Sequence, residues 1–190
     1  AVGSDKSLSI GTLALSDGSG ESDNYTLSEG TLLLDVTQKD INLSGSRVYD
    51  GTNAANSGSF STFSGLIGSE TLSVSGSGTV SSALVESSKV VTLGDLALAD
   101  GSGAATNYNL NGATLTISKR PVNVTLTRVY DGTTNISGSD DPSIGNLIGN
   151  ETLTLSGSGS IGSSNAANGK SVTLGSLALS SGTGSESNYT

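Results

Sequence analysis

Apolar and polar residues alternate along much of this chain. Val122-Asn123-Val124-Thr125-Leu126-Thr127 is the plainest stretch. Strict alternation turns one face of an extended segment toward a core and the other toward water. The alternating runs are short, with turn signals rich in Gly, Ser, Asn and Asp about every 8–12 residues. No stretch shows a helical period. The pattern predicts an all-β chain of sandwich or barrel type. One run breaks its own parity: in Val91-Thr92-Leu93-Gly94-Asp95-Leu96-Ala97-Leu98 the apolar face switches at Gly94, as it does at Gly11 and Gly175. Either a β-bulge or a strand that bends from one sheet into the next would do this.

The pattern also repeats. Arg47-Val48-Tyr49-Asp50-Gly51-Thr52 returns as Arg128-Val129-Tyr130-Asp131-Gly132-Thr133, a step of 81 (130 − 49). Lys6, Lys89 and Lys170 each open a Lys-x-x-x-[Leu/Ile]-Gly-x-Leu-Ala-Leu run. Asn-Tyr follows each, as Asn24-Tyr25, Asn107-Tyr108 and Asn188-Tyr189. Leu-Ile-Gly-x-Glu-Thr-Leu occurs at 66–72 and 147–153. Self-similarity at a fixed step marks a repeat architecture. The phase gives the back part of a unit at 1–37, a whole unit at 38–118, and a unit at 119–190 that lacks its closing strand. The expected fold is therefore a string of tandem small β-sandwich, Ig-like domains of about 81 residues. Almost no linker separates Ser118 from Pro121, which predicts a stiff array.

Asp50-Gly51 and Asp131-Gly132 read as tight turns, with the carboxylate bonded to nearby backbone and Gly at positive φ. Every Tyr lies in one of the two motifs, and all five read as core or corner anchors whose hydroxyls reach a polar partner. Phe63 and its counterpart Ile144 read as core. Phe60, whose counterpart is Asp141, reads as exposed and so as the one candidate contact aromatic. Thr31-Leu32-Leu33-Leu34-Asp35-Val36 reads as a closing strand without a front half, and so as a possible inter-unit strand. It could complete the third unit of another copy, as in donor-strand exchange. The favoured alternative is that both ends continue covalently into neighbouring units, which the absence of Met also suggests.

Composition narrows the chemistry. The net charge is −9 and the pI near 4.2, which argues against a nucleic-acid partner. There is no Cys and no His, so disulfides, thiolates, imidazole bases and the usual zinc ligands are missing. No run of eighteen apolar residues is present, so no membrane insertion is expected. No cofactor is expected, and no enzyme activity. Only a carboxylate pair could catalyse, and none outside the structural motifs recurs between units.

Three constellations stand against blander readings. The loop Asp17-Gly-Ser-Gly-Glu21-Ser-Asp23-Asn24 has the oxygen spacing of a calcium site, but its counterparts lose most of the acids, which favours a solvated turn. Lys89 and Lys170 recur with Glu70 and Glu151 and with Asn107 and Asn188, the ingredients of an isopeptide crosslink; a weak surface ion pair is the commoner outcome. Asn-x-Ser/Thr sequons could carry glycan, though Ser/Thr-rich sequence generates them by chance.

The assembled motifs resemble the YDG-type repeats of very large, haemagglutinin-like bacterial surface adhesins. The carriers are Val-Tyr-Asp-Gly-Thr, Gly65-Leu66-Ile67-Gly68-Ser69-Glu70, Ser75-Gly76-Ser77-Gly78, Asn168-Gly169-Lys170-Ser171-Val172-Thr173-Leu174 and the late Asn-Tyr. In the middle unit Glu86-Ser87-Ser88 departs from the Asn-rich approach to Lys170. The resemblance implies an extracellular, cell-surface, repeated β module with no catalysis and no defined ligand. The expected role is a structural repeat of a fibre or adhesin stalk, with copies of itself or neighbouring units as head-to-tail partners. The alternative is a module that binds carbohydrate or a host or abiotic surface.

Overall fold

The structure, a computed structural model, describes residues 1–27 and 33–190. Among the described residues the regular elements are strands and three-residue 3-10 turns. The part-unit contributes β1 (Gly3–Ser7) and β2 (Leu33–Val36). The whole unit contributes β3 (Lys39–Val48), β4 (Ala54–Asn56), β5 (Phe60–Ser64), β6 (Leu72–Ser75), β7 (Ser77–Val80), β8 (Glu86–Thr92), β9 (Ala97–Asp100) and β10 (Tyr108–Ser118). The last unit contributes β11 (Asn123–Thr125), β12 (Asn135–Ser137), β13 (Ser143–Gly145), β14 (Leu153–Ser156), β15 (Ser158–Ile161), β16 (Val172–Thr173) and β17 (Ala178–Ser181).

The whole unit is a small β-sandwich. One layer is a six-stranded sheet in the order β4-β7-β8-β10-β3-β5; the other is the β6-β9 ribbon. Strand β10 is central. It runs antiparallel to β8 and parallel to β3, from Tyr108 opposite Lys39 to Ser118 opposite Val48. Alternation places Ala113, Leu115 and Ile117 of β10 inward, where they meet Leu43 and Val91. Each such large side chain, fully buried, adds roughly 1.5–3 kcal/mol. Leu72 and Leu98 from the ribbon close over Ile41 and Tyr108.

The parity switch at Gly94 is a change of sheet. Strand β8 ends at Thr92, the chain turns with the Leu96 N–H donating to the Leu93 carbonyl at 2.9 Å, and β9 begins at Ala97 in the ribbon. Of the two alternatives, the bend between sheets holds.

Phe60 is a correction. It is buried in the core, 6% exposed. A 3-10 turn at Ser57–Ser59 and a register shift between Ser44 and Gly45 swing it inward over Gly45. A Cβ on Gly45 would stand 2.8 Å from Phe60 Cα. In the last unit the sizes are exchanged, with Leu126 at the Gly45 position and exposed Asp141 at the Phe60 position. Read alone, Asp141 suggested an exposed site; the compensating partner lay on another strand.

In the last unit the corresponding strands form two pieces, β12-β15-β16 and β11-β13, and among the described residues no strand lies between them. Of the expected inter-unit strand, Thr31 and Leu32 lie outside the described residues. Leu33–Val36 form β2, antiparallel to β1.

Candidate inter-unit junction

Each Tyr-Asp-Gly turn is held by its own arginine. Asp50 Oδ1 accepts from the Thr52 N–H and hydroxyl, both at 2.9 Å, and pairs with the Arg47 guanidinium. Arg47 Nη2 also donates to the Thr52 carbonyl at 2.5 Å. The second turn repeats this, with Thr133 N–H on Asp131 Oδ1 at 2.9 Å and Arg128 on Asp131 at 3.1 Å. Gly51 and Gly132 sit at φ 75° and 78°, where a side chain is strained. The expected turn chemistry is therefore present. The arginine is its third member, and no sequence pattern gave it that role.

Burial alone would raise the Asp50 carboxyl, but hydrogen bonds from Thr52 and the Arg47 charge outweigh it and hold the pKa below the usual value. For Asp131 the Thr133 N–H is the main cause of the same lowering. A depressed folded pKa stabilises above the unfolded value and is lost as pH falls through the folded one. The turns should therefore loosen below about pH 4, read as amide-exchange protection at Thr52 and Thr133. Asp50→Ala should cost about 1–2 kcal/mol in chemical denaturation, through lost turn hydrogen bonds. A wild-type denaturation midpoint would overturn this account of the turn.

The tyrosine of the turn acts beyond its own unit, which local corner packing did not anticipate. Tyr49 is 4% exposed and lies against the following unit. Its hydroxyl donates to Glu151 Oε1 at 2.6 Å, and its ring meets Tyr189 edge-on, 5.5 Å between centroids at 79°. The Tyr189 hydroxyl donates to the other Glu151 oxygen and accepts from the Ile148 N–H at 3.1 Å. One carboxylate thus clasps two phenols, one from each unit. Gly51 lets the turn approach, since a Cβ there would stand 2.8 Å from Ile148 Cγ2. Arg120 closes the seam, giving Nε to the Asn146 carbonyl at 2.7 Å and Nη1 to the Tyr49 carbonyl at 3.5 Å.

The Asn-Tyr motif is the receiving side. Asn188, buried, accepts the Val85 N–H on Oδ1 at 3.1 Å. Asn107 accepts the Val2 N–H in the same way at 3.0 Å. Tyr108 is buried and its hydroxyl pairs with Glu70, as Tyr189 does with Glu151. Not all five tyrosines are anchors: Tyr130 is 63% exposed, and Tyr25 is exposed beside Ala14, Leu15 and Thr26. Around Tyr108 lie Ile41, Phe63, Leu66 and Leu72 from the front half of the same unit and Leu98 and Ala105 from its back half. Glu70 and Glu151 were legible as recurring acids; their acceptor role needed the fold.

Burial, then the Glu151 hydrogen bond, pushes the Tyr49 phenol up to about 12. Tyr189 is raised for the same causes, and Tyr108 mainly by its hydrogen bond to Glu70. A raised folded pKa stabilises fully below the unfolded value of 10.0 and is lost as pH rises through the folded one. The junction should therefore weaken between pH 10 and about 12. Phenolate absorbance in wild type minus Tyr49→Phe should show that late step, and an ordinary tyrosine titration would contradict it.

The other constellations resolve locally. Asp17 Oδ1 accepts the Ser22 N–H at 2.6 Å, and Asp100 accepts the Ala105 N–H at 2.7 Å, so each carboxylate bonds the backbone within its own loop. Lys89 Nζ donates to Ser82 Oγ at 2.9 Å and pairs with Glu86 at 2.6 Å, while Glu70 is with Tyr108. The crosslink ingredients are thus engaged with other groups.

A family model described as the YDG domain matches the chain twice, over residues 35–117 and 114–190. Neither a curated protein nor a solved structure matches it.

Proposed function

Because the chain belongs to the YDG domain family, we propose that it is a structural repeat of an extracellular bacterial surface fibre or adhesin stalk, a non-enzymatic spacer that sets length and stiffness. The observation that carries this reading is the Tyr49–Glu151–Tyr189 clasp, which joins successive units through two buried tyrosines and a half-buried carboxylate. A stalk must hold a distal part at a distance, and a joint made of packed aromatics resists bending as a flexible linker does not. The acidic charge keeps such a fibre soluble and discourages lateral association. Its partners are neighbouring units or further copies, head to tail.

Small-angle scattering of the chain should give a stiff rod, and Tyr49→Ala should broaden the distance distribution into that of a hinged pair. A hinged wild-type chain would remove the stalk reading. A glycan array addresses the alternative, a carbohydrate- or surface-binding module; selective binding that survives Tyr49→Ala would favour it.

A further inference from the structure

Two independent observations meet at the contact of Tyr49 with Tyr189. The first is compositional. The chain has no Cys, Met, Trp or His. Cys and Met are the usual first targets of oxidants, and Trp and His are the other readily oxidised side chains. Tyrosine is therefore the one side-chain type here that gives up an electron easily.

The second is geometric. The two rings lie 5.5 Å apart between centroids and cross at 79°. Their hydroxyl ends converge, because Tyr49 donates to one oxygen of Glu151 at 2.6 Å and Tyr189 donates to the other. Both rings are buried, so neither is free to swing away. Glu151 is half-buried and keeps an edge to solvent. Burial and then the Glu151 bond raise both phenol pKa values, so both hydroxyls carry their protons at neutral pH. A phenol that loses an electron must then shed its proton, and the carboxylate is already within hydrogen-bond reach of each.

We propose that the clasp is an oxidative crosslinking site, where a small one-electron oxidant joins Tyr49 to Tyr189 as a dityrosine and so bridges two successive units covalently. Each ring gives one electron to one equivalent of oxidant and its hydroxyl proton to Glu151. Glu151 releases the first proton to water before it takes the second. The two phenoxyl radicals then couple, forming a carbon–carbon bond between the ring positions beside the hydroxyls. The hydrogen on each joined carbon moves to its ring oxygen and restores the phenol. Two electrons and two protons leave, two equivalents of oxidant are reduced, and the chain loses two hydrogens. A biaryl keeps its rings twisted, so the crossed rings need only approach by about an ångström, the scale of thermal motion in a folded protein. Holding the two rings together replaces a collision between chains with a step inside one chain.

The test uses the full chain with Tyr25→Phe and Tyr130→Phe, which removes the two exposed tyrosines. Dilute protein is oxidised by ruthenium(III) tris-bipyridyl generated in a light flash, then read by dityrosine fluorescence and peptide mass. The expected product is a monomer with a Tyr49–Tyr189 bridge, lighter by two hydrogens. It should melt higher than the unoxidised chain, since a bridge across a long loop limits the unfolded state. Adding Tyr49→Phe keeps the ring and should lower the yield at least about a hundredfold, because coupling then needs two chains. Adding Glu151→Gln keeps a hydrogen-bond acceptor but no base, and should slow bridging on the order of a hundredfold. No bridge in the folded background chain, or a yield that Tyr49→Phe leaves unchanged, would overturn the site. Bridging as fast with Glu151→Gln would overturn the role given to the carboxylate. A chain that scatters as a stiff rod yet forms no bridge would overturn the crosslink and leave the stalk reading standing.

Discussion

Tyr189→Ala is expected to cost about 3–5 kcal/mol, the scale of deleting a buried aromatic. Tyr189 is 1% exposed, stacks edge-on against Tyr49, and bonds both Glu151 and the Ile148 backbone through its hydroxyl. Truncation would leave a cavity where two units meet and strip a phenol from the half-buried Glu151 carboxylate. Melting should then show the last unit separating from the whole unit in an earlier transition. Tyr49→Ala should behave similarly but more mildly, since the last unit keeps its own tyrosine. Tyr130→Ala, in an identical hexapeptide, should lie within about 0.5 kcal/mol of wild type because its side chain is exposed. Equal melting shifts for Tyr49→Ala and Tyr130→Ala would refute the clasp.

Gly76→Ala should fail to fold stably, at a cost of about 3 kcal/mol or more. Gly76 lies where the chain leaves ribbon strand β6 for sheet strand β7, beside the place where β8 leaves for β9. The two crossings touch backbone to backbone: a Cβ on Gly76 would stand 2.1 Å from the Asp95 carbonyl oxygen, at φ 80°. Neither backbone can yield without opening both crossings. Gly157, with the Ser176 carbonyl oxygen 2.1 Å from its hypothetical Cβ, repeats the arrangement. Gly162 has open space around it, so Gly162→Ala is the control and should melt within a degree or two of wild type. A soluble, wild-type-like Gly76→Ala would show that the layers do not cross as described.

At the clasped joint the last unit receives through Glu151 and Asn188-Tyr189 and the whole unit gives through Tyr49, so the joint has a direction. Within the same hexapeptide, Tyr49 is buried where a further unit packs against it, and Tyr130 is 63% exposed.

What the sequence determined by itself was whatever is local or periodic. Alternation set the strands and their inward faces, since a side-chain period of two leaves only two registers to choose between. The recurrence of Tyr-Asp-Gly and Asn-Tyr set the unit length, and Asp-Gly set the turns because few residues accept that backbone geometry. Tertiary structure decided everything that depends on which strands become neighbours. Phe60 looked exposed because its compensating Gly45 is fifteen positions away on another strand. Glu151 looked like a surface acid because its two phenols lie 102 and 38 positions away. Whether Gly94 was a bulge or a crossing depended on the position of β6 and β9. Burial and hydrogen bonding across units are set by contacts distant in sequence, and no local pattern encodes such a partner.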